Sequence, residues 1–227
     1  GGVGGLFGES QVLLGAVEGL PTVELSFAEC DTIEFPDHAP QPLDGVRAFL
    51  GQGSLVTGQL VTIDPESVRL RSPVFGELTL PRNDIQGIAV DPELDRLVGA
   101  SPAHDRVRLR SGELVDGKLQ RANGGQFTVE LIQGGERTLT TAEVAGVLFR
   151  RPPLTEPDAV VYTRVDLVSG DRLIAFVGDS SQDPTAVSVP LLGAAAIPLA
   201  QVARLELGVG GGAMWGFTLI ADYSDNR

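Results

Sequence analysis

An internal repeat constrains what this chain can fold into more than any other feature of its sequence. The pattern Gly-x-x-Val-x-Gly-x-Leu at positions 53–60 recurs at 112–119, and a third, more divergent copy begins at Gly170. We call residues that occupy the same place in different copies counterparts, as Gly53, Gly112 and Gly170 do. Seven positions are apolar in all three copies without any gap, and in the first copy they are Leu50, Val56, Leu60, Leu70, Leu80, Ile85 and Ile88. Because ungapped agreement among three copies is not expected by chance, the sequence predicts three copies of one folding unit.

The repeat divides the chain into five stretches and two connectors. The copies cover 46–90, 107–150 and 165–207, and we call them segments 1, 2 and 3. The connectors 91–106 and 151–164 contain Asp-Pro, Ser-Pro, Pro-Pro and Glu-Pro steps, which predict extended linkers. Residues 1–45 do not align with the repeat at either of the shifts that relate the copies, but strand signals at 23–27 and 32–35 predict a β-rich N-terminal segment, and 11–17 fits a strand or a short helix. Residues 208–227 are a Gly-rich linker and an aromatic tail.

Each segment has the alternation of apolar and polar residues that is typical of strands with one buried face. In segment 1, Val68 and Leu70 alternate with Arg69 and Arg71. Turn residues separate the alternating runs and divide segment 1 into five short strands, at about 46–52, 54–63, 67–73, 77–81 and 84–90. Glycines inside the second strand, Gly58 and Gly117, predict a sharp bend or a close backbone approach. We therefore expect an all-β chain of three tandem, five-stranded small barrels.

The repeat resembles the Sm-like barrel, a small SH3-like fold. Residues 53–64 are similar to the first signature of that family, and Ile85-Gln86-Gly87 lies where the second signature has Ile-Arg-Gly. The resemblance implies an SH3-like or Sm-like barrel for each segment. The signature arginine is replaced by Gln86, Ala145 and Ala203, and the base-binding asparagine has no counterpart after Asp64. A divergent Sm-like nucleic-acid binder is therefore only the third functional hypothesis.

The segments also resemble repeats in large envelope proteins of planctomycete-like bacteria. The matching stretches are Gly-Asp-Arg-Leu at 170–173, Gly-Glu-Leu-Thr-Leu-Pro at 76–81 and Val-Ala-Gly-Val at 144–147. This resemblance implies a structural or interaction role and a location in the bacterial cell envelope, outside the cytoplasm.

Charge and hydropathy exclude some classes of function. The formal net charge of −13 repels phosphate backbones, so we expect no nucleic-acid partner. No stretch approaches the roughly 18 consecutive apolar residues of a membrane helix, so we expect no membrane span. The single cysteine, Cys30, cannot form an intrachain disulfide and is more typical of a buried apolar side chain than of a reactive thiol.

The sequence contains no pattern that predicts catalysis. His38 and His104 are isolated in proline-containing connectors, and no Gly-x-Ser-x-Gly motif is present. The acidic groups at 91–95 and 222–226 lack the spacing of a calcium loop. Arginines that alternate along strands, such as Arg106 and Arg108, fit the solvated face of a sheet better than a site for an acidic partner. We therefore predict no catalytic residue, no metal ligand and no cofactor.

The leading hypothesis is a non-catalytic scaffold or assembly subunit, with another protein or further copies of the chain as its partner. The candidate partner-binding residues are Trp215, the only tryptophan, and Phe217, although Trp215 could instead plug the last barrel. The alternative hypothesis is a module that binds cell-surface glycan, and it predicts that Trp215→Ala abolishes saturable binding to a polysaccharide.

Overall fold

The computed structural model of the chain is all-β. It describes residues 11–13, 24–26, 32–35, 41–91, 102–150, 162–175, 186–189, 192–197, 201–209 and 218–219. Its strand pairings are antiparallel, apart from a two-residue parallel pairing near the C-terminus. The all-β prediction is confirmed, and the short runs at 11–13, 24–26 and 32–34 are strands β1 (Gln11–Leu13), β2 (Glu24–Ser26) and β3 (Thr32–Glu34).

The described chain divides into two compact parts, and the larger part comprises Gln41–Pro157 with Ser169–Leu173. Its strands form two sets of five. In segment 1 they are β4 (Val46–Leu50), β5 (Leu55–Ile63), β6 (Ser67–Ser72), β7 (Gly76–Pro81) and β8 (Ile85–Ala89). In and just before segment 2 they are β9 (Asp105–Leu109), β10 (Leu114–Asn123), β11 (Gln126–Leu131), β12 (Glu136–Thr140) and β13 (Val144–Leu148).

The two sets pair their strands in the same order. In the first set β4 lies between β5 and β8, β5 also pairs with β6, and β6 pairs with β7. In the second set β9 lies between β10 and β13, β10 also pairs with β11, and β11 pairs with β12. A 3₁₀ turn at Arg82–Asp84 joins β7 to β8. The strands lie within a few residues of the positions that the alternation predicts for segment 1.

The long second strand of each set changes partner at its glycine. Gly58 pairs with Val46 of β4, whereas the next residue, Gln59, pairs with Arg71 of β6. A Cβ atom on Gly58 would lie 2.8 Å from the carbonyl oxygen of Arg71, which is closer than real Cβ contacts allow. The sequence prediction of a close backbone approach at this glycine is therefore confirmed.

The apolar positions of the repeat form the core of the larger part. In segment 1 six of the seven are buried and Leu60 is half-buried. In segment 2 all seven are buried: Leu109, Val115, Leu119, Val129, Leu139, Val144 and Val147. Phe127 and Phe149 are the largest fully buried side chains among the described residues. The pattern that identifies the repeat in the sequence is therefore the pattern of burial.

The second compact part contains strands from both ends of the chain. Here β14 (Tyr162–Leu167) pairs with β18 (Val202–Val209), and β18 pairs with β3. A short hairpin joins β16 (Ala186–Val189) to β17 (Gly193–Ala196), and β1 pairs with β2. The last strand, β19 (Thr218–Leu219), pairs with β3 in parallel. The remaining strand, β15 (Arg172–Ala175), begins in the larger part, where Arg172 pairs with Leu55 of β5.

Candidate interaction surface

The two sets of strands in the larger part are joined edge to edge by their fifth strands. In the antiparallel pairing of β8 with β13, Ile88 lies opposite Val147, its own counterpart in segment 2. Two flanking hydrogen bonds are related in the same way: Val90 N–H donates to the Ala145 carbonyl at 2.8 Å, and Phe149 N–H donates to the Gln86 carbonyl at 3.0 Å. The junction is therefore isologous, because each side contributes the same edge to the other.

The close approach of the two edges requires a glycine. A Cβ atom on Gly87 would lie 2.5 Å from the carbonyl oxygen of Val147, on the opposite strand. Since this neighbour is backbone, a side chain at position 87 could be accommodated only by separating the strands. A glycine is therefore needed at position 87 because the two strands pack closely there, and not because the backbone forms a turn.

A second contact between the two sets lies at the ends of their long strands. Ile63 of β5 pairs with Ala122 of β10, which is again its counterpart in segment 2. The two sets therefore meet at two places, and the same approximate twofold relation holds at both. The sheet is therefore continuous from one set of strands to the other.

A buried ion pair crosses the junction without obeying this symmetry. Arg82, in the turn before β8, binds the carboxylate of Asp105 at the start of β9, and the two side chains are 10% and 8% exposed. The guanidinium also donates to the carbonyls of Asp64 at 3.1 Å and Leu119 at 2.7 Å. Its central carbon lies 4.8 Å from the centre of the Phe149 ring, which is cation–π distance. Most of the groups that contact the Arg82 side chain therefore belong to the second set of strands, although Arg82 itself belongs to the first.

The carboxylate of Asp105 organises the backbone around this pair. Its oxygens accept the N–H groups of Leu119 and Arg150, both at 2.9 Å, in addition to the guanidinium of Arg82. A buried carboxylate is tolerated when its charge is paired and its lone pairs are satisfied. We call the Arg82–Asp105 pair and its hydrogen bonds the junction clamp.

A small groove lies over the β8–β13 pairing. Its volume is about 150 Å³, and its lining is apolar except for the two arginines of β9, Arg106 and Arg108. Arg106 is held by a two-point ion pair with Asp116, at 2.6 and 3.0 Å, which lowers the pKa of the Asp116 carboxyl. The hydrogen bond to Arg106 is the main cause, and the nearby charge of His104 contributes least. The groove is too small for a drug-sized ligand.

A second buried carboxylate lies where the start of segment 3 contacts β5. Asp171 is 1% exposed and accepts the Thr57 N–H at 2.7 Å and the Ser169 hydroxyl at 3.0 Å. Burial raises the pKa of the Asp171 carboxyl, although these hydrogen bonds and the charge of Arg47 oppose the increase. The Gly-Asp-Arg-Leu stretch that carries the envelope-protein resemblance is thus a packing element of the larger part.

Several residues that the sequence singles out are not in the described part of the chain. Trp215, Phe217, Cys30 and His38 lie outside it, so the predictions for the tail and for the thiol remain predictions. His104 is exposed. Among the described residues no group of three or more acidic, histidine or cysteine side chains could hold a metal ion, and no helix is long and apolar enough to cross a membrane.

Sequence reasoning missed the junction clamp. A signal for it was present, because both members depart from the repeat. The counterparts of Arg82 in segments 2 and 3 are Thr141 and Leu199, and the counterpart of Asp105 in segment 1 is Val46. A charge that appears in one copy only, at a position next to the core, indicates a contact between copies.

No protein family, curated protein or solved structure matches this chain.

Proposed function

We propose that the chain is a non-catalytic structural protein, a scaffold of Sm-like or SH3-like small barrels that join through strand edges. The observation that carries this proposal is the isologous pairing of β8 with β13, fixed by the junction clamp. Partner-switching at Gly58 and the tight turn between β7 and β8 support a small-barrel description of each set. We further propose a location in the bacterial cell envelope, on the resemblance of the repeats.

The scaffold proposal implies assembly, and the structure offers two equivalent open edges for it. β7 is paired only with β6, and β12 only with β11, so each has one side without a strand partner among the described residues. Thr140 donates its N–H to Glu143 outside the sheet, so by alternation Thr138 also presents its N–H outward. Thr79 is the counterpart of Thr138 and lies at the same position in β7.

The test is the mass of the purified chain in solution, measured by size-exclusion chromatography with light scattering over a range of concentrations. We expect species heavier than the 23.8 kDa monomer. The double variant Thr79→Pro/Thr138→Pro removes two outward donors while keeping the pairing within each sheet, so it should return the mass to that of the monomer. Thr79→Val/Thr138→Val is the control and should assemble as the parent does.

A chain that stays monomeric at every concentration, and also in extracts of its source, would contradict the scaffold proposal. Assembly that persists in the proline variant would instead show that another surface is used. The glycan alternative stays a prediction, because Trp215, on which it depends, lies outside the described residues.

A further inference from the structure

The pairing of β18 with β3 repeats the geometry of the junction between segments 1 and 2. In that junction Ile88 lies opposite Val147. In the second compact part, Leu205 is the segment 3 counterpart of Ile88, and it lies opposite Ile33 of β3. The N-terminal strand β3 therefore faces the fifth strand of segment 3 in the register that fifth strands use with each other.

The hydrogen bonds agree with the register. Phe35 N–H donates to the Ala203 carbonyl at 3.0 Å. Ala203 is the counterpart of Gln86, whose carbonyl accepts the Phe149 N–H at the junction of segments 1 and 2. Phe35 thus has the same role toward segment 3 as Phe149 has toward segment 1.

The sequence supports the same assignment at an offset that the three segments do not share. When Ile33 is aligned with Ile88, four N-terminal residues match segment 1 in kind. Leu25, Glu29, Cys30 and Ile33 align with Leu80, Asp84, Ile85 and Ile88, and with Leu139, Glu143, Val144 and Val147 of segment 2. The order of strands agrees as well, because the paired strands β1 and β2 precede β3 as the β6–β7 hairpin precedes β8.

We propose that β1, β2 and β3 are the last three strands of a fourth unit, and that the side of a fifth strand away from its own first strand is an interaction surface whose partner is the same side of another unit's fifth strand. This rests on the proposed function and deepens it, because it names the partner of the fifth-strand edges, which are distinct from the open edges of β7 and β12. The chain then consists of two pairs of units, segment 1 with segment 2 and the N-terminal unit with segment 3.

The C-terminal strand fits this assignment. In segment 1 the side of β8 away from the junction is covered by the first strand, β4. On β3 the corresponding side is covered by β19, which runs parallel and contributes only two pairs. The tail strand therefore takes the place of a first strand in the N-terminal unit.

A pair of opposite charges lies across the second pairing. Glu34 and Arg204 are directly opposite, and the Arg204 Nε lies 3.7 Å from a carboxylate oxygen of Glu34. Because Phe35 and Ala203 form a hydrogen-bonded pair, Glu34 and Arg204 form the adjacent non-hydrogen-bonded pair, in which Cα atoms are about 4.5 Å apart. That spacing is within the range that a disulfide can bridge.

The first experiment uses the full chain with Cys30→Val, a substitution that the alignment with Val144 and Val202 predicts to be tolerated. Glu34→Cys and Arg204→Cys are added, and the oxidised protein is titrated for free thiols and examined by non-reducing electrophoresis at high dilution. We expect loss of both thiols within single chains. The control combines Thr32→Cys with Arg204→Cys, a diagonal pair about 7–8 Å apart, which should keep its thiols. Equal reactivity of the two pairs, or no disulfide in the first, would overturn the proposed pairing.

The second experiment tests whether the N-terminal partner is a unit of the same kind. Residues 24–35 are replaced by residues 138–149 of segment 2, which carry Thr141 in place of Arg82, with cysteine at the place of Glu34 and Arg204→Cys as before. We expect the disulfide to form in this chimera and to be lost when the inserted residues are shuffled. A chimera that forms no more disulfide than the shuffled control overturns the fourth unit. Both readouts are intramolecular, so they stand or fall independently of whether the chain assembles.

Discussion

Removing either charge of the junction clamp should lower the free energy of unfolding by several times the cost of removing an exposed charge. Asp105→Ala would leave the Arg82 guanidinium, 10% exposed, without its counterion and would remove the acceptor of two backbone N–H groups. Breaking a buried ion pair destabilises proteins by roughly 3–5 kcal/mol. Orphaned backbone donors add to this, so we expect about 4 kcal/mol for this variant. Arg82→Ala should lie nearer to about 3 kcal/mol, because the carboxylate would keep its two N–H donors.

The two changes should not be additive, since each removes the same charge pair. At an effective dielectric constant of about 20, two charges about 4 Å apart attract by about 4 kcal/mol, which sets the scale of their coupling. Measured couplings between contacting residues are about 0.5–3 kcal/mol. We therefore expect the Arg82→Ala/Asp105→Ala double variant to lose about 2 kcal/mol less than the sum of the single variants.

The assay is native-state hydrogen exchange, read from the slowest amides of β9 and β13, because it reports the free energy of opening for the larger part alone. The control is the same double-mutant cycle on the exposed pair Arg106–Asp116, whose side chains are 40% and 38% exposed. Its coupling free energy should be below about 1 kcal/mol. If the Arg82–Asp105 cycle gave additive losses, or a coupling no larger than that of the exposed pair, the clamp would not hold the two sets together and the reasoning would be refuted.

Three further predictions concern single positions. Gly117→Ala places a Cβ 2.2 Å from the Glu130 carbonyl oxygen, so thermal unfolding should show a destabilisation of about 1–3 kcal/mol, whereas Gly51→Ala, with 3.7 Å of space, should be close to neutral. Because the pKa of Asp171 is raised, the folded state holds a proton that the unfolded state releases, and the contribution of Asp171 to the free energy of unfolding falls as pH rises from 3.8 through the raised pKa. Asp171→Asn should remove this pH dependence in urea titrations at several pH values. An unchanged pH profile of the free energy of unfolding would contradict this prediction. Arg71→Ala, in an exposed ion pair, should leave the unfolding midpoint unchanged, and a clear loss would show that the sheet face is not simply solvated.

Periodicity in the sequence was sufficient to predict the local structure. Alternation at Val68 and Leu70 predicts a half-buried strand because side chains of a strand point to opposite faces, and both residues are buried in β6. Gly58 could be assigned either a sharp bend or a close backbone approach, because these are the usual reasons for a glycine inside a strand. These inferences succeed because they depend on neighbours in the chain.

The junction could not be predicted in the same way, because strand edges carry their pairing information in backbone groups that every sequence shares. Ile88 and Val147 read as core residues whether their strands pair with each other or with something else. Only Arg82 and Asp105, which differ from their counterparts in the other copies, distinguish one strand partner from another. Neither residue alone predicts the junction, because each indicates a contact only when the other is known to face it. The N-terminal match of Ile33 with Ile88 was missed for a related reason, since its offset differs from those that relate the other segments.

The junction clamp joins a residue of the first set of strands to a residue of the second and has no symmetric copy. It therefore selects one pairing among the several that isologous edges allow. A unit of about 45 residues buries little core on its own, so joining two units through a shared sheet stabilises both. An edge that fits its own counterpart, however, would fit the same edge of any other copy equally well, which invites wrong pairings. The clamp removes this ambiguity, because two copies of segment 2 would place Thr141, not Arg82, next to the buried carboxylate of Asp105. That carboxylate would then be buried without a counterion, which penalises the wrong pair more than it favours the right one. Segment 1 is therefore specified as the partner of segment 2 by the penalty on the alternatives, while the pairing itself is supplied by the backbone.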